Sequence, residues 1–442
     1  MRLSQKVAFN TLAQIVAKII TVFFGLLTMV ILTRYLGREV YGQYMYVITL
    51  VVLFGSIADW GTATIGVREA AKQKQKEDQN KILVNVFLLR IFLSLGAAIL
   101  MILAAFLLPI KGNQEWLIRQ GVVLGSLILF LFAIKASLGM IFQTKLQMQK
   151  TAIGEIVGSI LVFLITWLFI FYQFNLIPLI SAVFLANLVS VALLLILVKQ
   201  VIKLRLVWDR AVIKKVLGES FPMGAILMML TIDNKIDTVM LGSLKGSGAV
   251  GIYALSYRIY DVLILGAAYL MNALLPVLSQ YADLDRWREK IKRIYQKSFD
   301  VLLLMGVIVL VGVLIGAPLI IKIITQNRFG EFFDAVGVLR LLSLAIFFSY
   351  FNHLTGYTVV ALGRQRLYFF VAFLALAFNI VVNFLVIPRF SYFGAAVTTI
   401  LTEGLVLIIT TFFIFRLVGI FPSLTSVFKT TKKLILKKGR IF

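Results

Sequence analysis

Six basic side chains lie within long apolar stretches of this 442-residue sequence, where charge is otherwise rare. A charged group in hydrocarbon is costly, so such residues normally face a protein interior or a water-filled cavity. A lysine or arginine in that setting can compensate an anionic ligand, above all a phosphate or diphosphate. The six residues are Lys18, Arg90, Lys135, Lys235, Arg258 and Arg340.

The six differ in their depth along the apolar stretches. Lys135 lies near a helix end, where its side chain reaches the headgroups, so we do not count it as a site residue. Arg90 and Arg340 lie about 10–12 Å from their helix entries and fit either the interface or a cavity. Lys18, about 17 Å deep, has no such exit.

Lys18 also belongs to a polar stripe on the first predicted helix. Asn10, Gln14 and Lys18 follow i, i+4 spacing, and Thr21 continues the same face. Small and polar residues also pack helices together, which is the alternative interpretation. A lysine within the stripe favours a wet, cavity-lining face.

A second polar cluster spans two predicted antiparallel helices. Two carboxylates stand one turn apart on the first helix, and two tyrosines and an aspartate follow i, i+4 spacing on the second. The cluster is either a buried ion-pair network or a site where a ligand anion competes for the cations. Its members are Asp233, Lys235, Asp237, Tyr253, Tyr257, Arg258 and Asp261.

Four deeper acids are candidates for exchanging a coupling ion, H⁺ or Na⁺, namely Asp233, Asp237, Asp261 and Glu403. His353 is more typical of a packing residue than of a proton relay. The sequence has no cysteine and one histidine, so we expect no metal centre and no cofactor.

The composition predicts an all-α polytopic membrane protein. Hydrophobic residues make up 61% of the chain and charged residues 14%, against about 45–50% and 25% in soluble proteins. Runs of about 20 apolar residues predict twelve transmembrane helices. They cover residues 7–32, 40–60, 82–109, 117–141, 152–174, 176–198, 216–244, 249–280, 298–326, 333–361, 367–387 and 393–418.

The lysines and arginines outside these spans predict the orientation. The termini and the loops on their side carry 30 of them, and the opposite loops carry 8. By the positive-inside rule both termini lie in the cytoplasm. This accounts for most of the net charge of +25 without a nucleic-acid partner. A basic amphipathic tail, 419–442, is expected to lie on anionic lipid.

An enzymatic function has little support. The predicted outer loops are too short for a catalytic domain, and no GxxxxGKS, HExxH or GxSxG sequence occurs. Asp283-Leu284-Asp285 resembles the DxD of glycosyltransferases, but it stands in a charged loop typical of a solvated helix face.

A repeat at an offset of 209 residues divides the chain into two halves. Gly37, Gly42 and Tyr44 correspond to Gly246, Gly251 and Tyr253, at the same place in each set of six helices. The repeats are parallel, as in transporters with a site between two halves. The predicted organisation is an N-terminal lobe, a cytoplasmic linker and a C-terminal lobe, at 1–198, 199–215 and 216–418.

Several motifs together resemble the polysaccharide transporter family, which includes the Wzx-type flippases of the MOP superfamily and is related to MurJ and the MATE exporters. They are Arg34-Tyr35-Leu36-Gly37, Tyr41-Gly42-Gln43-Tyr44, Asp59-Trp60-Gly61-Thr62, Arg68-Glu69, Ile236 to Gly242, Val250-Gly251-Ile252-Tyr253, Leu362-Gly363-Arg364, Asn379, Asn383 and Gly394-Ala395-Ala396 to Glu403.

The resemblance implies a MATE-like fold and movement of an undecaprenyl-diphosphate-linked oligosaccharide to the outer leaflet of the cell (inner or plasma) membrane by alternating access. The glycan would serve a surface polymer such as O-antigen, and polysaccharide polymerase and chain-length proteins are candidate partners. We assign the diphosphate contacts from this sequence to Lys18, Lys235 and Arg258, with Arg90 and Arg340 as further candidates.

Two other functions stay open. A MATE-like drug or metabolite exporter would favour an acidic cavity, whereas six basic residues face about four acids in these spans. A non-transporting scaffold for polysaccharide assembly would tolerate neutralisation of the cations.

Overall fold

The computed structural model describes residues 3–107, 109, 115–202, 208–282 and 287–426, and within these ranges it contains helices and no strand. This confirms the all-α prediction. The segment 283–286, with its DxD sequence, and the tail from 427 onward lie outside the described residues.

The helices follow one another with short connections. In chain order they are α1 (Leu3–Asp59), α2 (Thr62–Ala71), α3 (Lys76–Leu107), α4 (Glu115–Thr144), α5 (Met148–Phe171), α6 (Leu176–Lys199), α7 (Arg210–Lys245), α8 (Ser247–Leu263), α9 (Leu265–Ala282), α10 (Trp287–Thr325), a 3-10 helix (Gln326–Phe332), α11 (Asp334–Ala361) and α12 (Gln365–Val418).

Ten helical stretches in the described part of the chain are long and apolar enough to cross a membrane. Two of them cover two predicted spans each, because α1 continues past a single non-helical residue, Gly37, and α12 continues past Ser391. Each of the twelve predicted spans therefore overlaps one of the ten stretches. The exact number of crossings and the side of the termini stay predictions.

Large apolar side chains cover much of the outer surface of these helices. Phe92, Ile308 and Phe384, for example, are 56%, 70% and 65% exposed. In water such a surface would be unfavourable, whereas lipid tails solvate it well. The protein is therefore a multi-pass membrane protein.

The internal contacts of the chain group into two units, residues 1–251 (unit 1) and 252–442 (unit 2). The predicted lobes at 1–198 and 216–418 stay a prediction. Unit 1 has a continuous apolar core in which Leu83 and Val86 of α3 pack with Ile141 of α4, Leu194 of α6 and Val216 of α7.

The two repeat glycines have the same backbone conformation. Gly37 breaks α1 at φ 69°, ψ 178°, and Gly246 separates α7 from α8 at φ 88°, ψ 178°. This region of backbone space is open almost only to glycine. The weak sequence repeat thus marks two equivalent helix breaks.

The glycines that follow these breaks bring the two repeats into contact within unit 1. A methyl group at Gly42 would lie 1.8 Å from the Ser247 carbonyl oxygen, and one at Gly251 would lie 2.1 Å from the Arg38 carbonyl oxygen. Only residues without a side chain allow this backbone approach.

Close contacts continue along α1 and α7. Gly242 packs under the ring of Tyr46, where a Cβ would lie 2.4 Å from a ring carbon, and Gly224 packs against the Trp60 carbonyl, 2.6 Å from its would-be Cβ. We call this row of contacts, from Gly42 and Gly251 to Gly224, the glycine seam.

Candidate functional site

Arg90 is the buried centre of a polar network in unit 1. Its side chain on α3 forms an ion pair with Asp59 at the end of α1, and it donates hydrogen bonds to Ser137 Oγ at 2.8 Å and Thr62 Oγ1 at 3.2 Å. Arg90 is 1% exposed. Its positive charge is already compensated, which favours a structural role, and a role as substrate cation stays a prediction.

The polar stripe of α1 divides into two parts. Asn10 is 7% exposed, donates to the Lys6 and Leu146 carbonyl oxygens at 2.8 Å, and accepts from the Met148 amide at 2.6 Å. It therefore fastens α1 to the turn before α5. Further along the stripe, Gln14 and Lys18 are exposed.

Thr21 is half-buried, and its hydroxyl donates to the Lys18 carbonyl oxygen at 3.0 Å. Lys18 is exposed, and it forms no ion pair with any residue in the described ranges. An unpaired lysine about 17 Å along a spanning helix is a candidate for contact with an anion.

The cluster on α7 is largely enclosed. Asp237 is 1% exposed, and Asp233 and Lys235 are half-buried. None of the three is without a partner. Their roles in substrate binding and ion coupling stay predictions.

In unit 2, α8 carries a ladder of stacked tyrosines. The Tyr253 and Tyr257 rings lie 5.4 Å apart, and the Tyr257 and Tyr260 rings 4.8 Å apart. The Tyr253 hydroxyl lies 3.1 Å from Thr399 Oγ1 of α12. All three tyrosines are buried, so the ladder fixes one face of α8 against α12.

The far end of the ladder reaches Glu403. The Tyr260 hydroxyl donates to Glu403 Oε1 at 2.8 Å, and the Asn352 amide of α11 donates to Oε2 at 2.6 Å and to the Glu403 carbonyl oxygen at 2.8 Å. Ser349, one turn before Asn352, also hydrogen-bonds the carboxyl group. Neutral donors from two helices, α8 and α11, therefore hold this acid of α12. We call these residues the Glu403 cluster.

The other predicted residues of unit 2 lie apart from that cluster. Arg258 is half-buried and forms no ion pair with another residue of the described ranges. Asp261 is half-buried and has a partner. Arg340 is exposed and donates to the Leu314 carbonyl oxygen at 3.0 Å, and the His353 ring stacks near Tyr357 at 6.1 Å.

Ion pairs outside the predicted spans join the predicted cytoplasmic end of α7 to those of α2 and α3. Glu69 is 2% exposed and forms ion pairs with Arg68, Lys72 and Lys215. Hydrogen bonds from Lys215 and Lys72 lower the pKa of Glu69 to about 2. The charge of this carboxylate is thus fixed.

The same ends are joined by a second pair. Lys81 Nζ lies 2.6 Å from Asp209 Oδ2, while Asp209 Oδ1 caps α7 by accepting from the Ala211 amide at 2.8 Å. The Lys81 contact lowers the pKa of Asp209 and raises that of Lys81.

Sequence reasoning missed the donors around Glu403 and the network around Arg90. Tyr260 follows Tyr257 by three residues and Tyr253 by seven, so helical spacing places it on the same face. Asn352 stands next to His353, and only the histidine was considered as a candidate from the sequence. Asp59 lies at the end of the second predicted span and Arg90 lies in the third, so the two residues belong to spans that are neighbours in the sequence.

Two curated archaeal proteins are similar in sequence. A "Probable flippase AglR" of Haloferax volcanii is 27% identical over 175 residues, which cover 38% of this chain and 35% of that protein. An uncharacterized membrane protein of Methanocaldococcus jannaschii is 24% identical over 202 residues, 46% of each chain. The matched stretch is less than half the length of either relative.

Solved structures match over almost the whole chain. The lipid II flippase MurJ in an inward closed conformation superposes with a TM-score of 0.79 at 16% identity, covering 97% of this chain and 91% of that one. An inward-facing multidrug resistance MATE transporter of the MOP superfamily gives 0.73 at 15% identity, covering 93% and 96%. The fold is therefore the MOP fold.

Family models agree with the fold. A model described as MatE matches residues 222–385. A model described as "Polysaccharide biosynthesis protein" matches residues 6–282, more than half of the chain. The chain belongs to this polysaccharide biosynthesis family, whose fold it shares with the flippases and transporters of the MOP superfamily.

Proposed function

We propose that the protein is a flippase that moves an undecaprenyl-diphosphate-linked oligosaccharide from the cytoplasmic to the outer leaflet of the cell membrane. Membership of the polysaccharide biosynthesis family, the fold shared with a lipid II flippase and the flippase relative of Haloferax volcanii support it. Moving the lipid across the bilayer breaks no covalent bond, so the protein is not an enzyme and uses no cofactor beyond a coupling ion.

The observation that carries the proposal is the state of two intramembrane cations. Lys18 in unit 1 and Arg258 in unit 2 form no ion pair with a described residue, in contrast to Arg90 with its partner Asp59. A cation without a counter-charge is costly inside a membrane, and an anionic ligand would remove that cost. A diphosphate supplies about two negative charges.

Lys18, Lys235 and Arg258 are the proposed contacts of the diphosphate during alternating access. Gln14 and Thr21 are proposed to serve the polar path of the glycan, while the prenyl chain stays in lipid. Tyr253 and Tyr257 are buried in the tyrosine ladder, so their role as cavity-lining residues stays a prediction. Arg90 and Arg340 are second choices, because Arg90 is paired with Asp59 and Arg340 already donates to the Leu314 carbonyl oxygen.

Glu403 is our first choice for ion coupling. Its carboxyl group is held by uncharged hydroxyl and amide groups of Tyr260, Asn352 and Ser349, so its charge has no fixed counter-ion in this cluster. Such an acid suits exchange of H⁺ or Na⁺. Asp233, Asp237 and Asp261 are the remaining candidates.

The test is flipping of a labelled undecaprenyl-diphosphate oligosaccharide by the purified protein in liposomes, followed by its accessibility to an external glycan-modifying enzyme. Neutralising Lys18 or Arg258 to alanine should slow flipping roughly tenfold, since each removes a charge-assisted contact. Lys74→Ala removes an exposed loop charge and serves as the matched control. Wild-type rates in Lys18→Ala and Arg258→Ala would overturn the proposed contacts.

MATE-like export is the second candidate function, because the MatE model matches residues 222–385 and MATE transporters share the fold. The same liposomes loaded with a fluorescent organic cation distinguish the two. Ion-driven movement of the dye without movement of the glycan lipid would favour export. A scaffold for glycan polymerases or chain-length proteins would move neither.

A further inference from the structure

A cavity of about 420 Å³ lies in unit 2 where the end of α9, the start of α10, the turn between α11 and α12 and the end of α12 meet. Arg288 and Arg364 line it from two different elements, together with Ser279, Leu362 and Leu417. These elements end on the predicted cytoplasmic side. The cavity is therefore separate from the intramembrane cations and from the Glu403 cluster.

The turn that presents Arg364 is built rigidly. Gly363 adopts φ 70° with no atom within 4 Å of a would-be Cβ, so its backbone conformation, and not crowding, requires glycine. The Gly363 amide donates to the Val360 carbonyl at 3.0 Å and the Arg364 amide to the Val359 carbonyl at 3.1 Å. Arg364 thus stands at a fixed place on the rim.

The segment after α12 is fastened to α10. Ser423 donates its amide to Gln296 Oε1 at 2.8 Å and accepts at its carbonyl from Gln296 Nε2 at 2.9 Å. Ser426 donates to Asp300 Oδ2 at 2.7 Å. Asp300 is fully buried and accepts hydrogen bonds from Gln296 and Ser426.

The rim is strongly basic. Its described segments, 279–282, 287–293, 361–366 and 416–420, hold seven basic residues and one acid, Glu289. The intervening 283–286, outside the described part, adds two aspartates and one arginine to the sequence, which leaves an excess of five positive charges. Arg288 also has a partner within the chain, but a guanidinium carries five N–H donors and can serve a second acceptor.

We propose that this cavity is a binding site for a phosphate group. Guanidinium groups bind phosphate oxygens in a bidentate fashion, and two of them on separate rigid elements fix the position of one phosphate. The volume exceeds that of a single ion and accommodates a phosphate with its attached glycerol or sugar. The position at the predicted interface suits the phosphate of an anionic lipid headgroup.

Binding of short-chain lipids to the purified protein in detergent tests the proposal by native mass spectrometry. The probes are dioctanoyl phosphatidylglycerol, dioctanoyl phosphatidylcholine and inorganic pyrophosphate. Phosphatidylglycerol should bind the wild type, and the double variant Arg288→Gln/Arg364→Gln should bind it at least tenfold more weakly. Lys74→Gln/Arg210→Gln removes two exposed charges that lie outside both the cavity and its rim, and should bind as the wild type does.

The probes separate the two sources of phosphate. Binding of phosphatidylglycerol at concentrations where pyrophosphate is silent assigns the site to a lipid headgroup, and the reverse assigns it to a soluble phosphate. Equal binding of the zwitterionic and anionic lipids would overturn the assignment to an anionic headgroup, because the basic rim would then give no preference for negative charge. Equal losses in the two double variants would overturn the proposal, since the arginines would then act only as general surface charge. Because the readout is binding, the result is independent of flipping.

Discussion

Two enclosed acids, Glu69 in unit 1 and Glu403 in unit 2, are held by different kinds of partner. Lysine and arginine side chains surround Glu69, whereas hydroxyl and amide groups surround Glu403. A carboxylate among cations keeps its charge and fixes the helices that supply them. An acid among neutral donors can take up a proton or cation without breaking an ion pair, which is the property that coupling requires.

Arg90 extends the same contrast. In unit 1 its charge is cancelled by Asp59, and the glycine seam adds backbone contacts that leave no room for adjustment. Arg90 and Asp59 are therefore parts of the framework of unit 1. In the Glu403 cluster of unit 2, by contrast, neutral donors hold the acid and no counter-ion is fixed beside it.

The largest effect on stability is expected for Arg90→Met. The change leaves Ser137 without its donor and Asp59 without its counter-charge, which should lower the free energy of unfolding by about 3 kcal/mol. Arg68→Met, in a pair whose arginine is 50% exposed, should cost under about 1 kcal/mol. Denaturant unfolding in micelles measures both, and equal costs would contradict the framework role of Arg90.

Gly251→Ala should have the next largest effect. Its methyl group would meet the Arg38 carbonyl oxygen, so the helices must separate at a cost of about 2 kcal/mol. Gly55→Ala, on α1 with open space around its Cβ, is the matched control and should be neutral or stabilising. A stable Gly251→Ala protein would mean that the glycine seam is not closely packed.

The lowered pKa of Glu69 predicts that the stability of the protein depends on pH. Because its pKa is lowered in the fold from 4.5 to about 2, it stabilises the protein above about pH 4.5, and this contribution is lost as the pH falls towards 2. Glu69→Gln should lower the free energy of unfolding at pH 7. It should also make that free energy depend less on pH between about 4.5 and 2. Replacing the exposed Glu77 by glutamine should leave this pH dependence unchanged.

The smallest effect on stability is expected for Glu403→Gln, under about 1.5 kcal/mol, because the amide keeps most of the neutral hydrogen bonds. Ion coupling should nevertheless disappear, so that transport in liposomes no longer responds to proton or sodium gradients. Glu289→Gln, an exposed acid, is the control. A variant at Glu403 that responds like the wild type would remove this residue from coupling.

The sequence predicted much of the fold because hydropathy and charge bias act locally. It did not predict that α1 and α12 continue through the expected loops at 33–39 and 388–393, since one non-helical residue in each is enough to redirect the chain. Helices α3 and α10 also begin well inside predicted loops, where charged residues with good helix propensity continue the helix.

The candidate site was predicted only where its residues share one helix. The spacing of Tyr253 and Tyr257 and the depth of Glu403 were readable, but Asn352 and Tyr260 meet Glu403 across 51 and 143 residues of chain. Such contacts depend on helix packing, which periodicity alone does not encode. The pairing of Arg90 with Asp59 was not predicted for the same reason, because it too depends on helix packing.

The most direct test of the central claim is the flipping rate of the labelled undecaprenyl-diphosphate oligosaccharide in liposomes for Lys18→Ala, Arg258→Ala and the Lys74→Ala control, at equal amounts of folded protein. We predict that the first two lose roughly tenfold in rate while the control matches the wild type. Wild-type rates in all three, or no protein-dependent flipping with a range of glycans, would contradict the account.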